Sequence, residues 1–485
     1  MLPSMALWTQ KSVEALRRDA ESNLLRRSLG PWNLTALGIG SVIGTGIFVL
    51  TGTAASMNAG TALVLSMVFS AIGCAFSGLC YAEFASMTPV AGSAYTYAYA
   101  TLGELIAWII GWDLILEYAL STATVAVGWS GYLVSLLNDI GIFLPPSVTQ
   151  APFNLPAIFV VGLVSTLLVI GVKESANANT ALVLVKSLVL VLFIAVGASY
   201  VRRANLTPFI PPNAGEFGAF GWSGVLRGAG VMFFAYIGFD AVSTAAQEAR
   251  NPARDMPIGI LGSLAICTVL YIGVAIVLLG IVPYSRLNIP DPLAVGIDST
   301  GLTWMRPIVK GAALLGLFST MLVTLLGQTR IFYSMSQDGL LPRIFAVVHP
   351  RFRTPHLSTM LTGAIVALVA GVTPIAVLGQ LVSIGTLLAF VLVSIGIVIL
   401  RRTAPDLPRP FRTPWVPVVP FAGAAICLVQ MIGLPLATWL RLVTWLVIGL
   451  GLYGVYGWRH AHPNAVTRQA TGDARHSDDR YAACR

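Results

Sequence analysis

Long apolar runs separated by short polar segments make up most of this chain. Twelve runs are each long enough to cross about 30 Å of hydrocarbon as a helix that rises roughly 1.5 Å per residue. They lie near residues 35–57, 62–86, 105–136, 156–172, 177–200, 224–247, 257–283, 309–336, 357–373, 376–400, 415–435 and 440–458. This pattern predicts an all-α integral membrane protein with twelve transmembrane helices.

Composition supports the same class of protein. Of the 485 residues, 56% are hydrophobic and only 10% are charged, and the mean hydropathy is +0.81. A soluble globular domain of this size carries more charge. The longest polar pieces are residues 1–34 and 459–485. The first of these has no apolar core before a cleavage site, so it predicts a basic cytoplasmic segment and not a removable signal peptide.

The positive charges are unevenly divided between the two predicted sides of the membrane. Of the 29 Lys and Arg residues, 21 fall on the side of the termini, six fall on the opposite side and two lie within spans. Cytoplasmic loops carry the excess of Lys and Arg, so both termini are predicted to be cytoplasmic in the cell membrane. The net charge of +9 then reflects orientation and requires no nucleic-acid partner.

Two of the spans carry places where a helix can break. The run LGIGSVIGTGIFVLTG (37–52) is rich in glycine, and AYIGFDAVST (235–244) interrupts span six. In hydrocarbon, backbone groups freed by a break must line a protected cavity. Breaks five spans apart predict two inverted repeats, 35–200 and 224–400, with a binding site between them and residues 415–458 outside the repeats. This organisation is typical of a transporter.

Four motifs in order along the chain carry a family resemblance: IGTGIFVLTG (43–52), AEFASMTPVAGSAYTYAYATLGE (82–104), FFAYIGFDAVSTAAQEARNPARDMP (233–257) and GQTRIFYSMSQDGLLPRIFAVVHPRF (327–352). The chain resembles the amino acid–polyamine–organocation superfamily, in particular its cationic amino acid transporter branch and the bacterial relatives of that branch. The resemblance implies the leucine-transporter-type fold, in which helices one and six are broken.

The glycine element of span one has two interpretations. Gly40 and Gly44 repeat at helical spacing and could simply let a neighbouring helix approach. Alternatively, the chain around Ile43, Gly44, Thr45 and Gly46 unwinds and directs free amides at a substrate carboxylate. The resemblance favours binding, and both roles are compatible.

Span six supplies the complementary groups. Carbonyls freed at Phe234, Ala235 and Ile237 would point negative dipole ends at an ammonium group. The resemblance implies the same assignment, with Phe233 or Phe234 closing over the substrate. Asp240 is interpreted as the N-cap of the second half-helix and not as an ammonium partner.

Two charged residues within spans are candidates for proton coupling. Lys186 lies well inside span five, where a charge is costly; snorkelling to the membrane edge is the alternative. The resemblance implies that this lysine occupies a sodium site, touching helix-one backbone and a hydroxyl of Ser319 or Thr320. Glu117, at mid-depth in span three, must be neutral, paired or in contact with water. The resemblance implies a transport role, and a structural hydrogen bond is the alternative.

We therefore expect a secondary active transporter of neutral L-amino acids, such as alanine or threonine, coupled to protons and not to sodium. The resemblance places Met321 near the substrate side chain, where an apolar group leaves little room for a long charged chain. The alternatives are a transporter or exchanger of cationic amino acids or polyamines, a channel, and a receptor without turnover. A major-facilitator architecture is disfavoured because no long central loop separates halves of six spans.

The sequence shows no pattern typical of an enzyme. The five histidines all fall in predicted cytoplasmic segments, and no metal-ligand or nucleotide-binding spacing appears. No metal and no cofactor are expected. The expected partners are a small-molecule amino acid and the lipid bilayer, and a small accessory membrane subunit is left open.

Overall fold

The computed structural model describes residues 29–87, 93–171, 176–244, 249–352, 354–381 and 383–461. Almost all of the predicted N-terminal segment (1–34) and tail (459–485) therefore lies outside the described residues. Within those ranges the chain is helical, apart from loops and an isolated β-bridge between Leu29 and Ala249.

The main helices are, in chain order, α1 Pro31–Val42, α2 Leu63–Met87, α3 Ser93–Thr101, α4 Glu104–Asp139, α5 Leu155–Ile170, α6 Ala176–Gly197, α7 Gly221–Met232, α8 Phe239–Thr244, α9 Pro252–Ile281, α10 Pro292–Asp298, α11 Met305–Gln337, α12 His356–Val372, α13 Ile375–Leu381, α14 Ser383–Thr403, α15 Val418–Gly433 and α16 Leu436–Leu452. Between α1 and α2, residues 46–59 form the π-helical turns Gly46–Leu50 and Ala55–Ala59 around the α-helical turn Thr51–Ala54. A third π-helical turn, Tyr453–Gly457, extends α16 to the short helix Trp458–His460.

Seven helical stretches among the described residues are long and apolar enough to cross a membrane. They are Pro31–Met87, Glu104–Asp139, Thr180–Tyr200, Pro252–Ile281, Met305–Gln337, Val377–Thr403 and Leu436–His460. Three shorter apolar helices are Leu155–Ile170, His356–Val372 and Val418–Gly433. The first stretch holds two predicted spans, divided at Gly60 with its φ of +58°. Predicted span six is split between α7 and α8, so the number of crossings stays a prediction.

One helix start differs from the sequence prediction. The seventh span was predicted near 257–283. The helix instead begins at Pro252 and contains Pro257 in its second turn. Pro257 is the sixth residue of α9 and has no backbone N–H to donate. The helix therefore lacks one hydrogen bond close to its first turn and not in its middle.

The helices pack around one continuous apolar core. The two longest helices, α4 and α11, run against each other, and α1 is enclosed by α6, α8 and α9. Small residues allow the close approach of α1 and α9: a Cβ added to Gly259 would lie 2.8 Å from Leu34 Cβ.

The bundle has two ends, which we call near and far. The near end is the end where α1 begins. It also holds the end of α11, where Tyr95 donates a hydrogen bond to Asp338, and the end of α16, where Tyr453 donates to Glu104. The far end holds the end of α4 and the loop that contains α10.

Candidate functional site

The first helix breaks where its glycines predict. Helix α1 ends at Val42, Ile43 takes an extended conformation with ψ of 93°, and helical hydrogen bonding resumes with the π-helical turn that begins at Gly46. The last bond of α1 runs from the Ile43 N–H to the Ile39 carbonyl, and the next along the chain runs from the Phe48 N–H to the Gly44 carbonyl. The backbone at residues 43 and 44 is therefore unwound, and Thr45 is already in the right-handed helical conformation.

The second break lies between α7 and α8. A 3-10 turn, Phe233–Tyr236, follows α7; Ile237 is extended, and Gly238 has a φ of +124° before α8 begins. That φ is unfavourable for any residue with a Cβ, so glycine is required. Asp240 is the second residue of α8 and not its cap, yet its Oδ1 accepts a hydrogen bond from the Gly238 N–H at 3.2 Å. It caps the helix from inside the first turn.

The two breaks touch each other. A Cβ added to Gly46 would overlap the Cα of Ala235, and a Cβ added to Gly238 would lie 2.7 Å from the carbonyl carbon and oxygen of Ser41. The backbone of one break is thus in contact with the backbone of the other at two points. Side chains at these glycines would separate the broken segments.

Carbonyls of the first break are satisfied by long side chains. Lys186 Nζ donates to the carbonyls of Gly40 at 3.2 Å and Ile43 at 3.3 Å, and the lysine is 1% exposed. The Tyr271 hydroxyl donates to the Val42 carbonyl at 2.6 Å. These hydrogen bonds give partners to carbonyls at the end of α1, so the helix can end inside the bundle.

Helix α11 supports the same region. A Cβ added to Gly316 would lie 3.4 Å from Lys186 Cε, and the Ser319 hydroxyl donates to the Gly316 carbonyl at 3.0 Å. A Cβ added to Gly44 would lie 2.6 Å from the Thr320 hydroxyl oxygen. The structure therefore brings the lysine, the first break and this part of α11 together.

A cavity of about 130 Å³ lies against both breaks. Its wall consists of Ser41, Val42, Gly44, Thr45, Gly46, Tyr95, Tyr118, Ser121, Phe234, Ile237, Gly238, Asp240, Thr320, Val323, Thr324, Leu326, Gly327, Arg330, Ile331 and Ser334. The cavity therefore follows α11 from mid-helix towards the near end. On its far side, Phe234 packs on Leu50.

The predicted binding residues divide into two groups. Gly44, Thr45, Gly46, Phe234 and Ile237 line the cavity. Ile43 and Ala235 are buried behind it, the first through its bond to the lysine and the second against Gly46. Phe233 and Phe234 were both considered as the residue that closes over the substrate. Phe233 packs on Phe390, with ring centroids 5.2 Å apart, and does not line the cavity.

Met321 does not lie where it was expected. It is fully buried and is not part of the cavity wall. The wall is formed by Thr320, Val323 and Thr324, which lie on another face of α11. The side chain expected to limit substrate size is therefore in the helix-packing interior.

Several lining residues were not found from the sequence. Tyr118 and Ser121 on α4 and Thr324 and Ser334 on α11 were not singled out, although the last two belong to a series at helical spacing. That spacing was the available signal. Arg330 lines the near part of the cavity as well.

Glu117 lies on a second cavity, of about 350 Å³, between α4, α14 and α16. Asp113 and Arg441 also line this space. The Glu117 Oε2 atom is buried and has no hydrogen-bond partner among the described residues. Tyr118, the next residue, lines the first cavity, so α4 separates the two spaces.

Comparison with known proteins gives consistent results. A family model described as amino acid permease matches residues 29–452. A methylthioribose transporter of Bacillus subtilis is 45% identical over 463 residues, covering 94% of this chain and 99% of the relative. The branched-chain amino acid permease BcaP of the same organism is 46% identical over 470 residues, covering 95% and 99%. The vacuolar cationic amino acid transporter 4 of Arabidopsis thaliana is 38% identical over 402 residues, covering 81% and 66%. All three are named as transporters or permeases, which are not enzymes.

Proposed function

The chain belongs to the amino acid permease family of the amino acid–polyamine–organocation superfamily, and on this premise we propose that it is a secondary active transporter of neutral L-amino acids. It works by alternating access in the cell membrane, with both termini in the cytoplasm. The observation that carries the proposal is the cavity formed where the two helix breaks touch.

The first break offers backbone amides to the substrate, and the second offers backbone carbonyls. The amides of Gly44 to Gly46 precede the 46–59 helical turns and are suited to a carboxylate. The carbonyls of the Phe233–Tyr236 turn and Ile237 end the other broken helix and are suited to an ammonium group. An amino acid held between them would extend its side chain towards Val323 and Thr324.

The proposal includes the twelve-span architecture with two five-helix inverted repeats. Three observations support it: seven long apolar stretches, three shorter apolar helices, and breaks in the first and sixth predicted spans. In the leucine-transporter-type fold, breaks at those two places face each other at the repeat interface.

A neutral substrate is favoured by the lining of the cavity. Phe234, Ile237 and Val323 present apolar side chains to it. Two relatives named as branched-chain amino acid permeases, 46% and 36% identical to this chain, support an apolar substrate side chain. The methylthioribose transporter has nearly the same identity, so overall similarity does not distinguish these substrates.

A cationic amino acid or polyamine is the second candidate, and one observation favours it. Asp240 lines the cavity, where its carboxylate could pair with a positively charged side chain. Its hydrogen bond from the Gly238 N–H already engages one oxygen, which makes a capping role sufficient to explain the residue.

Proton coupling without sodium forms the last part of the proposal. The Lys186 ammonium lies behind the first break, bonded to the backbone that binds substrate, where a metal cation would otherwise balance the freed carbonyls. Glu117, with an unpartnered oxygen on the second cavity, is the alternative proton carrier.

Counterflow in proteoliposomes tests the transport function. Liposomes loaded with unlabelled valine, threonine, lysine or methylthioribose would receive labelled substrate, with and without a pH gradient. We expect labelled valine or threonine to accumulate and sodium to have no effect. Absence of exchange for every substrate would indicate a receptor, and exchange confined to lysine would establish the second candidate.

A further inference from the structure

An apolar groove opens on the side of the bundle, away from the cavity that we assign to substrate. It has a volume of about 540 Å³ and lies between α4, α11, α12 and α16. Trp108 and Trp112 form part of its floor, and their indole N–H groups donate to the carbonyls of Gly449 and Trp445. The rings of Trp108 and Trp112 stack on each other, and Trp112 also stacks on Trp445, so this part of the groove is aromatic and apolar.

A polar pocket of about 530 Å³ adjoins the groove at the near end. The two spaces share Leu341 and Tyr456, so one continues into the other. Arg343 and His460 line the pocket and are exposed, and the His460 ring stacks on Tyr456 with centroids 4.2 Å apart. We call this space the basic pocket.

The charge around the basic pocket is positive. No acidic residue lines it, and in the described part of the chain no ion pair engages Arg343. The nearest acid in sequence is Asp338, whose Oδ2 accepts a hydrogen bond from Tyr95 at 2.6 Å, outside the pocket wall.

We propose that the groove and the basic pocket together bind one anionic glycerophospholipid of the bilayer. An acyl chain would occupy the groove, and the phosphate would bind Arg343 at the depth of the lipid headgroups. A basic pocket between helices, next to an apolar groove that opens to lipid, matches both parts of such a molecule. A second copy of this chain fits less well, because a two-fold contact here would bring two Arg343–His460 pairs together.

Binding at this place would act on the substrate cavity through α11. Gln328 and Phe332 face the groove, while Gly327, Arg330 and Ser334 face the cavity. A bound lipid would support the outer side of the same helix whose inner side lines the near part of the cavity. Lipid composition would then regulate the conformation that opens to the near end.

Thermal unfolding of the full chain in detergent tests the proposal. Phosphatidylglycerol and phosphatidylcholine with identical acyl chains would be titrated, and native mass spectrometry would count bound lipids. We expect one retained phosphatidylglycerol and a preference over phosphatidylcholine of about tenfold, which Arg343→Gln abolishes. Arg351→Gln is the matched control, because Arg351 is exposed nearby but lines neither space.

A second variant tests the acyl-chain part of the site. Ala119 lines the groove, so Ala119→Phe should fill it and weaken both lipids while leaving substrate-dependent stabilisation intact. Equal binding of the two lipids by the native chain, or equal losses in Arg343→Gln and Arg351→Gln, would overturn the proposal. So would equal stabilisation by soluble glycerol phosphate, or a dimer that Ala119→Phe dissociates, since the latter would assign the groove to a second copy.

Discussion

At the scale of single residues, the contact between the two breaks depends on glycine. Because a Cβ at position 46 would overlap the Ala235 backbone, Gly46→Ala should separate the broken segments. We expect this variant to lose substrate-dependent thermal stabilisation while remaining folded. Gly311→Ala on α11 is the matched control, since a Cβ there meets nothing within 4 Å. An unchanged substrate shift in Gly46→Ala would refute the binding role of this contact.

Lys186 is the residue whose removal should separate binding from coupling. In Lys186→Ala, the carbonyls of Gly40 and Ile43 lose their donor, at a cost of about 1–3 kcal/mol for each unsatisfied group. We expect accumulation driven by a pH gradient to be abolished. Counterflow, which needs no net proton movement, should persist. If the variant still accumulates substrate with the native pH profile, the proton is carried elsewhere, and Glu117 is the next candidate.

The face of α11 that meets substrate can be tested with two serine substitutions. Val323→Ser adds a polar group to the cavity wall, so uptake of valine relative to threonine should fall. Met321→Ser should leave that ratio unchanged and destabilise the fold by roughly 2–4 kcal/mol, because Met321 is fully buried. A change in the ratio only for Met321→Ser would place Met321 in the pocket after all.

The same pair of residues shows what the sequence could not provide. Neighbouring positions on a helix point about 100° apart, so placing α11 near the substrate does not tell which face it presents. Helical rotation depends on packing against α4 and on the unwound backbone. By contrast, glycine clusters inside apolar spans marked where the breaks could lie. Close helix packing was the other explanation for those glycines, and the family resemblance favoured the break.

At the scale of elements, a group of charged residues fastens the loop between α9 and α11 to the end of α4. Lys310, with a fully buried side chain, contacts Asp139 Oδ2 at 2.6 Å and Asp298 Oδ2 at 3.0 Å. Asp291, in the loop before α10, is close enough to Lys310 to feel its charge and forms a hydrogen bond with Ser135. The cluster joins α4, α10 and α11 at the far end.

Asp291 gives this loop a pH dependence. Burial raises the pKa of its carboxyl to about 6, although the Ser135 hydrogen bond and the Lys310 charge oppose the rise. The folded state therefore binds the Asp291 proton more tightly than the unfolded state does. As a result, the free energy of unfolding falls as pH rises from about 4 to about 6. Asp291→Asn should become more stable relative to the native protein across that window, measured by thermal unfolding. The exposed substitution Asp406→Asn should show no such trend, and a parallel trend in both would contradict the assignment.

Element boundaries were predictable where apolar length alone decides them. The predicted span 309–336 corresponds to Met305–Gln337, and 105–136 corresponds to Glu104–Asp139. The irregular turns were not predictable in this way. The π-helical turns within residues 46–59 contain ordinary helix-compatible residues, so their wider winding depends on contacts with other segments, such as the Tyr132 hydroxyl that donates to the Phe48 carbonyl at 2.7 Å.

At the scale of the whole molecule, the charge asymmetry predicts orientation, and the cavity gives that orientation a functional meaning. The near end carries the Arg-rich loops, and the substrate cavity extends towards it past Arg330 and Ser334. If Lys and Arg mark the cytoplasmic side, the cavity extends towards the cytoplasm, where Arg330 is exposed, and the packed pair Phe234 and Leu50 lies on its outer side.

Single exposed cysteines at the two ends test this orientation. In a variant lacking the five native cysteines, Asp406→Cys would mark the near end and Glu216→Cys the far end. A membrane-impermeant maleimide should label Glu216→Cys in intact cells and label Asp406→Cys only after the membrane is permeabilised. Labelling of both from outside would refute the topology. The reverse pattern would mean that the cavity opens to the exterior, and the same structure would then represent the state that collects substrate and not the state that releases it.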